Sequence, residues 1–175
     1  MKLRHAIFAV VYSVKNKKVE YLILKRQKHW KGWEFTKGGI ELFETRRMAV
    51  QREVKEETGL KILRIKRFNV GGIYKYKNKL KDRPGVVGQT YHLFAVEVKK
   101  EKVSLDKKEH SGFKWMNFKE AEKKLTWENQ KACLRIVNGW LGFELRSNVA
   151  RPNVAKRKKC LKIVEEWLNN EISRN

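Results

Sequence analysis

Glu53, Glu56 and Glu57 stand at i, i+3 and i+4 in a stretch, Thr45 to Thr58, that contains neither proline nor glycine. Ala49, Val50 and Val54 recur there at helical spacing, which predicts a helix with all three carboxylates on one face. Thr45 or Glu44 can cap its start, and Gly59 supplies a left-handed stop. Like charges in contact cost free energy unless a cation sits among them, and oxygen clusters of this kind suit hard divalent ions such as magnesium or manganese. A solvated acidic helix face is the competing reading. Two features weigh against it. The chain is otherwise basic, with 42 Lys and Arg against 19 Asp and Glu and a formal charge of +23. Gly38 and Gly39 also stand where a loop brings backbone carbonyls beside the helix. The cluster reads as a metal site.

The spacing Gly38-x5-Glu44-x7-Arg52-Glu53-Val54-x-Glu56-Glu57-x-Gly59-Leu60 is complete, and it resembles the signature of the Nudix hydrolases. The resemblance implies a metal-dependent hydrolase that cuts the pyrophosphate bond of a nucleoside diphosphate joined to another group. It implies an α/β/α sandwich around a mixed sheet, with the box as a loop-helix-loop. Gly38, Glu53, Glu56 and Glu57 become the expected ligands of magnesium, or manganese. Arg52 becomes a structural residue that orients a box carboxylate by bidentate hydrogen bonding, alongside Glu44 and Gly59.

The flanks narrow the reading. Trp33-Glu34-Phe35-Thr36-Lys37-Gly38 is similar to the lead-in of the diadenosine tetraphosphate hydrolases, with Thr36 in place of the usual proline and Phe43 where glycine is common. Lys37, directly before the glycines, is expected to reach a phosphate, as are basic neighbours such as Lys28. Glu109-His110 with Trp115 resembles a loop of the same subgroup, whose glutamate faces the metals as ligand or general base; Glu109 is the matching position. A plain surface acid is its alternative. Tyr76 and Tyr91 are candidates to stack on a base. A basic comb, Lys75, Lys77, Lys79, Lys81 and Arg83, reads equally as a solvated loop or a steering element.

Positioning these residues requires a sheet. Strands are expected at His5–Val14, Val19–Lys25, Lys61–Val70 (broken by Gly71-Gly72 before Ile73–Tyr76) and Val86–Lys99, the last as the longest apolar strand and central. A short helix capped by Asn117 and a longer one, Trp127–Trp140 with an apolar face, should follow. Residues 1–145 form the expected hydrolase domain. Residues 146–175 form a linker and a C-terminal helix over 153–172 that packs on the domain or at a dimer seam, leaving monomer and homodimer both open.

With 175 residues and 41% hydrophobic composition, the chain can build a core, and a disordered class is excluded. Cys133 and Cys160, on apolar stripes, read as small core residues in a reducing compartment. No apolar run approaches the ~20 residues that span a bilayer, so the expected location is cytoplasmic, without a membrane partner. The expected substrate is a nucleotide polyphosphate, foremost diadenosine tetraphosphate, with the 5′ end of RNA as rival. A non-catalytic binding module is disfavoured because every box glutamate is present.

Overall fold

The computed structural model describes residues 2–76 and 80–147. The expected C-terminal helix, its linker beyond Ser147, Cys160, Lys77 and Lys79 lie outside the described residues.

Seven strands form one mixed sheet: β1 (Lys2–Lys15), β2 (Lys18–Arg26), β3 (Gly32–Glu34), β4 (Thr36–Gly39), β5 (Ile62–Lys75), β6 (Val86–Val98) and β7 (His110–Met116). The path runs β3-β2-β1-β6-β5, with β4 paired to β1 and β7 paired to β2. Among the described residues, only the β1–β6 pairing is parallel. These two inner strands carry apolar runs, Ala6–Tyr12 and Leu93–Val96, where both of their faces are covered.

Alternate residues feed two cores. Phe8, Tyr12, Tyr91 and Leu93 face α2 (Phe118–Lys124) and α3 (Glu128–Ser147), where Leu134, Val137 and Leu141 meet them. Ile7, Ala9, Phe94 and Val96 face α1 (Arg46–Thr58), which buries Ala49, Val50 and Val54 against them. The result is an α/β/α sandwich, as expected.

Three details depart from the sequence reading. Gly71 and Gly72 do not end a strand; β5 runs through them with a register shift between Arg67 and Gly71, where the strand absorbs extra residues as a bulge. β6 lies inside the sheet beside the centre, and β1 and β5 are each one residue longer at 14. α3 continues to Ser147, so Arg146, expected in a linker, is helical and its Nε donates to the Gly142 carbonyl at 2.8 Å.

Candidate active site

α1 begins where Thr45, in an extended conformation, accepts a hydrogen bond from the Met48 N–H at 3.2 Å through its hydroxyl. It ends at Gly59, whose φ of 69° is left-handed and whose N–H donates to the Lys55 carbonyl at 2.9 Å. These local signals fix the phase of the helix, and the phase separates the glutamates. Glu53 and Glu57 are buried, while Glu56 is exposed.

Arg52 binds the box together. Its Nε and Nη2 donate to the two oxygens of Glu44 at 2.9 and 3.0 Å, a bidentate pair. Nη1 reaches Glu53 at 2.8 Å and Glu56 at 3.1 Å, and Nη2 also donates to the Gly39 carbonyl at 2.8 Å. Hydrogen bonding from Arg52 holds the Glu44 carboxyl below its ordinary value. One guanidinium thereby ties the loop after β4 to the helix.

The Glu53 carboxylate lies against Gly38. A Cβ on that glycine would stand only 1.8 Å from the carboxylate carbon, so the position admits no side chain while Glu53 stays in place. Burial raises Glu53 above its ordinary value despite Arg52 beside it. Glu57 is more extreme. Both its oxygens are buried without a hydrogen-bond partner, and burial, followed by the charges of Glu53 and Glu34, pushes it well above the carboxylate range.

An isolated buried carboxylate is costly, and a cation would relieve that cost. The donor set is all oxygen, which fits a hard divalent ion. Among the described residues no three acidic, imidazole or thiol side chains converge as a preformed cage. Glu53, Glu57 and Gly38 are the residues whose placement fits a cation here, while Glu56 is exposed and accepts from Arg52 at 3.1 Å.

A second ionic cluster lies beside the first. Glu34, fully buried, faces Lys37 Nζ at 3.0 Å, Arg26 Nη1 at 3.4 Å and His110 Nε2 at 3.5 Å. Burial drives Glu34 up, but Lys37, His110 and Arg26 together bring it below its ordinary value. Arg26 also donates to Glu109 at 2.6 Å, and Lys28 Nζ meets the other Glu109 oxygen at 3.1 Å. Burial opposes ionisation of Glu109, yet these two cations hold it at about 2.

Beside these groups lies a cavity of about 450 Å³. Lys37, Gly38, Glu53, Tyr76 and Glu109, all expected from the sequence, line it. Arg4, Arg26, Arg83 and the aromatic pairs Trp30–Trp127 and Tyr74–Tyr76 line it as well. Tyr76 donates its hydroxyl to Gln89 Oε1 at 2.8 Å, which fixes the ring at the wall.

Some expected residues have other surroundings. Tyr91 is buried and stacks on Phe8 with ring centres 4.0 Å apart, a packing role that leaves no face for a base. Glu109 is an ion-pair partner in this arrangement, with both oxygens engaged by cations. Lys28 serves that pair. His110 is buried against Glu34. Arg4 and Glu34 escaped the sequence reading. The alternation of β1 places Arg4 in phase with Ala6 and Phe8, but only the pairing of Ala6 with Gly39 shows that its side chain crosses over a glycine into the cavity.

Residues 2–135 match the NUDIX domain. The chain belongs to the Nudix family. It is 35% identical over 125 residues to an RNA pyrophosphohydrolase of a Nitratiruptor species, a match covering 68% of this chain and 81% of that one. The fold is similar to that of a C. elegans Ap4A hydrolase in a binary complex, at TM-score 0.66 and 22% identity over 80% of this chain and 98% of that one. It is also similar to the E. coli dihydroneopterin triphosphate pyrophosphohydrolase, at TM-score 0.64 and 22% identity over 76% and 95% of the two chains. These two structures speak to the fold alone. The Nudix chain is a pyrophosphohydrolase, and enzymes of this family act with divalent metal ions.

Proposed function

We propose that this Nudix enzyme removes pyrophosphate from the 5′ end of triphosphorylated RNA, with magnesium as the working ion and manganese as a substitute. The observation that carries the reading is the cavity wall. Arg4, Arg26, Lys37 and Arg83 surround a space that opens beside Glu53, in a chain of net charge +23. Such a wall neutralises a polyphosphate, and such a net charge favours a polymer of phosphates over a single nucleotide. The sequence relative named above is an RNA pyrophosphohydrolase, which supports the same choice.

Glu53, Glu57 and Gly38 would hold the ion, joined by Glu56. The bound ion supplies charge neutralisation at the phosphoryl oxygens and a more acidic water. Lys37 and Arg4 orient the phosphates through charged hydrogen bonds. Glu53, the one box carboxylate that lines the cavity, takes the proton of the attacking water; burial has raised its basicity toward that task. Water adds its hydroxyl to one phosphorus as the anhydride P–O bond breaks. The leaving phosphate oxygen carries off the electron pair beside the cationic wall.

Diadenosine tetraphosphate, foremost in the sequence reading, stands second. It is favoured by two aromatic pairs in the same cavity, Trp30–Trp127 at 5.3 Å and Tyr74–Tyr76 at 6.1 Å between ring centres, which offer surfaces for two bases. The test is kcat/KM with magnesium on 5′-triphosphorylated RNA and on diadenosine tetraphosphate, with products resolved. RNA carrying one 5′ phosphate, formed with a preference of about tenfold or more, is the expected result. The opposite ranking at that size would overturn the assignment.

A further inference from the structure

Among the described residues, nothing covers part of the α1-side face of the sheet. Along the second half of β5 every other residue, Arg67, Asn69, Gly71, Ile73 and Lys75, is exposed. Ile73 pairs with Thr90 and Gly71 with His92, while His5 of β1 pairs with Thr90 from the other side. These residues are in phase with Phe94 and Ile7, which α1 covers, so they continue the same face past the start of the helix. His5 Nδ1 and Thr90 Oγ1 are 3.0 Å apart, which ties β1 to β6 across this shelf.

The loop after β4 borders it. The Ile40 N–H donates to the His5 carbonyl at 2.9 Å, and Arg46 at the start of α1 and Arg67 of β5 both bear electrostatically on His92. Burial, followed by Arg46, Arg67 and His5, lowers His92 from its ordinary value; every charged group that bears on it is basic. Glu41, an acid of the loop, is 3.9 Å from Arg52. At the tip of the loop Phe43 is 93% exposed with φ at 61°. A bulky residue in the left-handed region costs about 1 kcal/mol or more, and here the strain presents an aromatic ring to solvent. Ile73, 67% exposed, adds apolar surface on the strand.

We infer that this shelf, formed by His5, Phe43, Arg46, Arg67, Ile73 and His92, binds the single-stranded body of the RNA whose 5′ end enters the cavity. The inference rests on the function proposed above. Cationic side chains track a phosphate backbone while exposed rings and apolar side chains accept unstacked bases, which is the chemistry of single-strand platforms. Charge complementarity selects a polyanion over a second copy of this basic chain. Lys75, on the same face of β5 as Ile73, also lines the cavity, whose Phe8 and Tyr74 belong to the opposite face. A strand leaving the cavity therefore turns around the β5 edge at Lys75 to reach the shelf, and this selects the substrate itself. One loop leaves the cavity at Gly38 and Gly39, bonds to His5 of the shelf through Ile40, and carries Phe43 and Arg46 beyond it.

The test separates the strand from its end. Fluorescence anisotropy with a 5′-hydroxyl single-stranded RNA of roughly 16 nucleotides, without metal, reads the shelf alone. Phe43→Gly, which suits the backbone, should weaken binding about fivefold or more. Arg46→Ala and Arg67→Ala should each weaken it and lower the salt slope by about one. Turnover of a 5′-triphosphorylated dinucleotide should stay within about twofold of the parent enzyme in all three, which shows the box intact. Unchanged strand affinity, an equal loss on the dinucleotide, or conversion of a dimer to a monomer by these variants would each overturn the shelf. Strand binding that falls as expected, in an enzyme that cleaves no triphosphorylated RNA, would support the shelf and overturn the proposed reaction.

Discussion

Glu109 shows how neighbours decide what a carboxylate can do. Its place in the sequence suggested a base or a ligand, but Arg26 and Lys28 occupy both oxygens and hold it at about 2. A carboxylate so depressed is a weak proton acceptor at neutral pH. Its contribution is to stability. With the folded value below the unfolded one, that contribution is full above the ordinary carboxylate range and is lost as pH falls toward about 2. Glu109→Gln should therefore lower the unfolding free energy at pH 7 by on the order of 1–2 kcal/mol, discounted because the side chain is one-quarter exposed. In urea unfolding at pH 7, 5 and 3 the gap between parent and variant should narrow as pH falls. A constant gap would mean that Glu109 acts by packing.

At the scale of elements, α1 is held by its two ends. Gly59 has φ at 69°, and a Cβ there would stand 2.9 Å from Ser104 Cβ. Gly59→Ala should cost about 1–2 kcal/mol, read as a lower urea midpoint with unchanged slope. A neutral result would show that the turn can rearrange. This element was legible in advance because its cap, apolar spacing and stop are all local. The partners of Arg4 and Glu34 were not, since they depend on which strand lies beside which. Tyr76 and Tyr91 illustrate the same limit. Thr90 and His92 alternate with Tyr91 and Leu93 on β6, which puts Tyr91 on the covered face, but its stacking partner Phe8 lies on another strand and was not legible in the sequence. The bulge between Arg67 and Gly71 was hidden for a related reason: paired glycines signal a break and a bulge equally.

For the molecule as a whole, charge is the dominant property. Among the described residues no helix is long and apolar enough to cross a membrane, and the basic excess is directed in part into the cavity wall and the bare sheet face. Counterion release makes polymer binding steeply salt-dependent. With 5′-triphosphorylated RNA, KM should rise steeply between about 50 and 200 mM salt, and much less for the dinucleotide. Equal slopes would place all of the electrostatic attraction at the phosphate pocket.

The acidic box and its cation remain the centre of the account, and thermal unfolding with and without magnesium probes them most directly. Glu57 has its folded value raised, so in the metal-free protein it destabilises the fold as pH climbs above the ordinary carboxylate range. Glu57→Gln should then melt higher than the parent at pH 7 without magnesium, and should lose turnover by about a hundredfold or more. Magnesium should raise the melting temperature of the parent while leaving the variant nearly unmoved. Equal magnesium shifts in both proteins, or none in the parent, would contradict a cation held by this carboxylate.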